Sequence, residues 1–161
     1  MRFAIKNLGD WTGRLGSVLK PGQELIVEGP YGRFQPNSQR GDQIWIAGGV
    51  GITPFLAAAS ALPDDRRIHL FYCLEKRADA VGLEVLDQAM RDHPGFRYTL
   101  VESRQDGYLT AEKLAMHSAV PPKVASVFIC GPEALRNAIL TGLTAIGQQP
   151  RSVHYELFAF R

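Results

Sequence analysis

A chain of 161 residues can bury one substantial core, so a single domain with room for an appendage is the default organisation. Its 45% hydrophobic and 21% charged residues are ordinary for a globular protein, and a formal charge of +2 is too small to argue for a nucleic-acid partner. No Lys/Arg run forms a polybasic patch, no apolar stretch is long enough to span a bilayer, and the N-terminus is no signal peptide, so the chain reads as a cytoplasmic domain. Cys73 and Cys130 each lie in an apolar run that reads as a buried strand. Neither has a second thiol or a histidine at metal-ligand spacing, so neither a disulfide framework nor a metal site is expected.

In chain order, residues 3–7 alternate as a strand does, and 13–19 form a short helix with Leu15, Val18 and Leu19 on its apolar side. A turn at 20–22 leads to a second strand over 25–28, which ends in Gly29-Pro30-Tyr31-Gly32. Residues 35–43 are polar and rich in turn formers, and a domain boundary is expected there, dividing 1–40 from 41–161. From Ile44 onward, strand-like and helix-like segments alternate: strands at 44–47, 67–74, 96–102, 126–130 and 152–159, helices at 53–62, 79–92, 111–117 and 132–146. That alternation predicts an α/β fold with a doubly wound, five-stranded parallel sheet. Two strands and one helix before residue 35 do not make a domain, so this part is expected to be a fragment of something larger.

The most informative stretch is 44–54. Ile44, Trp45 and Ile46 suit a strand covered on both faces. Gly48, Gly49 and Gly51 remove side chains, so the backbone can turn sharply and a ligand can approach it. Thr53 is placed as an N-cap and Pro54 as the first helical residue, a start that suits phosphate. The same residues also fit a plain strand-to-helix turn, and their spacing departs from G-x-G-x-x-G. His69 and His154 alternate with apolar strand residues and read as core or surface.

Gly48-Gly49-Val50-Gly51-Ile52-Thr53-Pro54 resembles the nicotinamide-domain signature of the ferredoxin–NADP reductase superfamily. Gly29-Pro30-Tyr31-Gly32, Cys130-Gly131-Pro132-Glu133 and the ending His154-Tyr155-Glu156-Leu157-Phe158-Ala159-Phe160-Arg161 fit the same family in the same order. The combination is most similar to the reductase end of bacterial membrane ferric reductases, relatives of the NADPH oxidases.

The resemblance implies that residues 1–40 close a flavin-binding barrel whose earlier strands are not in this sequence, with Gly9 and Thr12 at the flavin pyrophosphate. Ordinary helix capping by Asp10 or Thr12 explains that segment equally well. The resemblance also places Ser103 and Arg104 at the ribose 2′-phosphate. Glu75, ending a strand, is a competing signal for binding ribose hydroxyls, while Lys76-Arg77 fits either the same site or a solvated surface run. The cofactors implied are NADPH, with NADH as the alternative, and FAD in the intact protein.

Cys130, Gly131 and Pro132 would border the nicotinamide, the thiol positioning the ring without attacking it. Phe158 would cover the flavin, and Glu156 would help pair the two rings. A small buried cysteine, two core phenylalanines and a structural ion pair are the plainer readings of these residues. The expected function is hydride transfer from NAD(P)H to FAD, with electrons passing to haem in an attached membrane domain of the bacterial inner membrane. The alternatives are an isolated nucleotide-binding or interaction module, and the reductase component of a soluble oxygenase. The latter usually carries an iron–sulfur domain, for which this sequence has no four-cysteine cluster.

Overall fold

The computed structural model describes residues 5, 7, 9–28 and 34–157. The chain divides into two compact units, Met1–Arg33 and Phe34–Arg161. The first contains helix α1 (Asp10–Val18), which begins earlier than its apolar pattern predicts because the Gly9 carbonyl already accepts from the Gly13 N–H at 2.8 Å. None of this unit's described residues is buried, and Trp11 is 72% exposed. The strand expected over 25–28 is absent: Leu25, Ile26 and Val27 are exposed and lie in no strand among the described residues. β-propensity needs a neighbouring strand to become a β-ladder, and the described residues of this unit supply none. The strand expected over 3–7 and the Gly29–Gly32 segment fall largely or wholly outside the described residues.

The second unit holds five strands: β1 (Gln43–Gly48), β2 (Ile68–Leu74), β3 (Phe96–Glu102), β4 (Ser126–Gly131) and β5 (Ser152–Leu157). They pair in parallel, as the alternating pattern predicts, and their order is β3-β2-β1-β4-β5. Helices α2 (Thr53–Ala59) and α3 (Leu83–Asp92) cover one face, and α5 (Ala111–His117) and α6 (Glu133–Ala145) the other; α4 (Ser103–Asp106) is a single turn after β3.

Successive side chains of a strand point to opposite faces. Trp45, Leu70, Tyr72, Phe128 and Cys130 therefore pack with Phe55 and Leu86, while Ile44, Ile46, Phe71, Val127 and Ile129 pack with Leu114, Ile139 and Leu143. Helix α3 starts later than residue 79 because Gly82 sits at φ +73°, a left-handed turn that separates it from the 3₁₀ turn Arg77–Asp79. Thr110 caps α5, its hydroxyl accepting from the Lys113 N–H at 3.3 Å.

The polar segment before β1 is strapped to the second unit. Asn37 donates to the carbonyls of Ala58 and Ala61 near the end of α2, and Arg151 donates to that of Arg40. Gln43, fully buried, donates to the Pro36 and Gln39 carbonyls at 3.0 and 2.9 Å and accepts from the Trp45 indole at 2.7 Å. Gln43→Leu would strand that indole N–H in the core. It should cost about 2 kcal/mol in urea unfolding, and an unchanged midpoint would contradict the role.

His69 is a core residue, 2% exposed. The Ala119 N–H donates to its Nδ1, so its Nε2 carries the proton and donates to Thr99 Oγ1 at 2.9 Å. Burial, with the Arg97 charge adding, pushes the imidazole down to about 4. Unfolding restores an ordinary value, so between about pH 6.5 and 4 the unfolded chain binds the extra proton. Stability from His69 is therefore complete above pH 6.5 and falls by roughly 3 kcal/mol as the pH drops to 4. Unfolding curves across that range should show a steeper pH dependence for the native sequence than for His69→Gln.

Candidate functional site

Crossing from β1 to β2 in one direction and to β4 in the other creates a switch point between the carboxyl ends of β1 and β4, where open α/β sheets bind ligands. The residues there are glycines. A Cβ at Gly51 would lie 2.0 Å from the Cys130 carbonyl oxygen, and one at Gly131 would lie 3.0 Å from the Gly48 Cα. A Cβ at Gly48 would meet Pro132 Cδ at 2.7 Å. The loops after β1 and β4 thus touch backbone to backbone, which leaves a floor without side chains.

Gly49 differs from the other three. Its φ of +55° favours glycine, and outside its own chain neighbours no atom lies within 4 Å of where its Cβ would stand. Open space above a bare peptide is what a phosphate needs to reach backbone N–H groups.

The entry into α2 differs from expectation. Gly49–Ile52 forms a 3₁₀ turn that runs directly into the helix, so Ile52 takes the cap position and Thr53 is already helical. Thr53 does not cap: its hydroxyl donates to the Val50 carbonyl at 3.2 Å. Pro54 accordingly falls in the second helical position, and Pro132 is the N-cap of α6, one residue before its first turn.

Cys130 and Glu156 are register partners on β4 and β5, so their side chains share a face. Cys130 is fully buried. Burial first, and then the Glu156 charge, push its thiol up to about 12, so at neutral pH it is a thiol and no nucleophile. Cys73, partly buried against the core, is likewise pushed up to about 12 by burial. Phe158 lies outside the described residues. Gly9 and Thr12 lie in the first unit, where the Thr12 hydroxyl donates to the Gly9 carbonyl at 3.3 Å.

At the other end of the edge, Ser103 opens α4 and Arg104 follows it. The Arg104 guanidinium pairs with Glu75, its Nε donating to Oε1 at 2.7 Å, and the Arg104 N–H donates to the Glu75 carbonyl at 3.2 Å. In the sequence these residues are rival signals for two nucleotides, whereas the fold joins them. No local pattern announces a pair 29 positions apart. Among the described residues no group of three or more His, Cys, Asp or Glu side chains could hold a metal, and no helix is long and apolar enough to cross a membrane.

A doubly wound parallel sheet with a glycine floor at its switch point defines an α/β nucleotide-binding domain. The family model described as "Oxidoreductase NAD-binding domain" matches residues 45–140. The chain belongs to that family, within the ferredoxin–NADP reductase superfamily. It is 31% identical over 162 residues to the phenol 2-monooxygenase reductase component DmpP of Pseudomonas sp. (strain CF600), covering 93% of this chain and 46% of that protein.

Among solved structures, the cytochrome P450 reductase GcoB of Amycolatopsis superposes with a TM-score of 0.62 at 26% identity, over 81% of this chain and 42% of that one. The ferredoxin–NADP+ reductase of Plasmodium falciparum shares the fold, with a TM-score of 0.68 at 21% identity over 94% of this chain and 66% of that one. The chain spans about half the length of the curated relatives it matches.

Proposed function

We infer that the Phe34–Arg161 unit binds NADPH or NADH in extended form along the carboxyl edge of the sheet, as the dinucleotide-binding part of a flavin-dependent reductase. The observation that carries this reading is the side-chain-free floor of Gly48, Gly51 and Gly131, with the open position at Gly49. Across the edge, candidate groups follow β3, β2, β1, β4 and β5 in turn: Ser103 and Arg104, then Glu75, then Gly48 to Pro54, then Gly131 and Pro132, then Glu156. With strands about 4.8 Å apart, that row spans roughly 19 Å, enough for the parts of a dinucleotide to meet different strands.

In this reading the glycine loop and the start of α2 receive the pyrophosphate, and Ser103 and Arg104 receive the adenosine ribose. Gly131 and Pro132 border the nicotinamide. Cys130, protonated and covered, shapes the floor beneath that ring, with Glu156 beside it. The nicotinamide supplies a hydride when bound, and an FAD held by barrel strands of the parent protein accepts it. By the family resemblance, Gly9 and Thr12 would hold the flavin pyrophosphate and Phe158 would cover the flavin ring.

For the onward electrons, the motifs favour haem in an attached membrane domain of the bacterial inner membrane, with ferric iron or oxygen as final acceptor. The likeness to the phenol 2-monooxygenase reductase component favours a second reading, delivery to a soluble oxygenase. Calorimetric titration of this chain with NADPH, NADH and FAD separately tests the core of the proposal. Nicotinamide-nucleotide binding without tight FAD binding is the expected result; failure of both nucleotides to bind would overturn it. Ferric-chelate reduction by the parent protein in membranes would decide for the first acceptor, and electron delivery to a soluble oxygenase for the second.

A further inference from the structure

We propose that Glu75 sets the selectivity of the nucleotide site: by holding Arg104 it withholds the guanidinium from a 2′-phosphate, so NADPH must displace a carboxylate that NADH leaves in place. The inference rests on the nucleotide-binding reading above and adds which side chain decides between the two nucleotides.

Glu75 immediately follows β2, and Arg104 lies two residues past the end of β3. These strands are neighbours, with Leu74 opposite Glu102 in the register, so the fold itself delivers both residues to one corner of the carboxyl edge. The hydrogen bond from the Arg104 N–H to the Glu75 carbonyl fixes the backbones, and the guanidinium then closes on Oε1 through both Nε and Nη2.

The pair is solvent-facing, its side chains 68% exposed at Arg104 and 58% at Glu75. An exposed pair of this kind is weak, and a guanidinium fork binds two phosphate oxygens at once, so a phosphate dianion can draw Arg104 away. Doing so leaves the Glu75 carboxylate beside the phosphate, where like charges repel. A ribose hydroxyl carries no such penalty, because a carboxylate at a strand end accepts hydrogen bonds from it.

The corner as a whole is slightly acidic. Residues 75–79 and 102–106 carry four carboxylates (Glu75, Asp79, Glu102, Asp106) against three cations (Lys76, Arg77, Arg104). Lys76 stands 3.9 Å from Asp79, and the Arg77 N–H donates to the Glu102 carboxylate at 2.7 Å. Arg104 is the cation that Glu75 holds at this corner, and Glu75 is its positioning residue.

The test is calorimetric titration of the full chain, of Glu75→Gln, of Arg104→Ala and of the double variant, each with NADPH and NADH. Glu75→Gln should raise the NADPH-to-NADH affinity ratio about tenfold, because it both frees the guanidinium and removes the repelling charge. In the Arg104→Ala background most of that gain should vanish. An unchanged ratio with both nucleotides still bound would overturn the proposal, as would an equal gain without Arg104. If the native chain binds neither nucleotide, the proposal falls together with the nucleotide-binding reading, a result distinct from an unchanged ratio.

Discussion

Gly51→Ala is expected to destabilise the second unit by about 3 kcal/mol, the upper end for forcing extra volume into packed structure. The added methyl would stand 2.0 Å from the Cys130 carbonyl oxygen, 2.6 Å from its carbon and 3.1 Å from the Gly131 nitrogen. All three are backbone atoms, so no side chain can swing away. Nor can the strand yield, because Cys130 lies on β4, paired with β1 on one side and β5 on the other. The 3₁₀ turn must then lift off the sheet and open the switch point. Urea unfolding reads the loss directly, and a native midpoint would mean that the loops do not need this contact.

Gly49→Val should behave in the opposite way, with nucleotide affinity falling at least tenfold in a domain that still folds. The added Cβ meets nothing within 4 Å outside its chain neighbours, so the expected penalty to folding is that of the left-handed backbone, about 1–2 kcal/mol. Its methyl groups, however, occupy the space through which a phosphate must reach the peptide. Gly147→Val is the matched control, since Gly147 also has a positive φ, +64°, and open space at its Cβ position, but follows α6 at the far end of that helix from the Gly131–Pro132 loop. Equal stability losses with loss of binding only at position 49 would support the phosphate-loop reading. Native affinity in Gly49→Val would remove it.

Taken together, the two glycines separate roles that a motif alone merges. Gly51 and Gly131 are required by the protein's own packing, and a domain with no ligand would need them as much. Gly49 is the position whose side-chain space is empty. Only the coordinates of neighbouring loops distinguish these cases, because the atoms that crowd Gly51 belong to residue 130 and those that crowd Gly131 belong to residue 48.

What the sequence determined by itself was the parallel α/β unit: apolar runs at 44–47, 67–74 and 126–130 became strands within a residue or two. Such runs read correctly because a strand buried on both faces must be apolar throughout, a property local to the segment. Local signals failed where a partner decided the outcome. Leu25, Ile26 and Val27 have strand composition but no adjacent strand among the described residues, and Thr53 has cap chemistry but follows a 3₁₀ turn that already supplies the helix start. The tertiary structure alone decided that Glu75 and Arg104 meet, and that Cys130 and Glu156 stand side by side on one face. Both follow from the strand order β3-β2-β1-β4-β5, which is set by how whole faces of the sheet are covered and is written in no single stretch of residues.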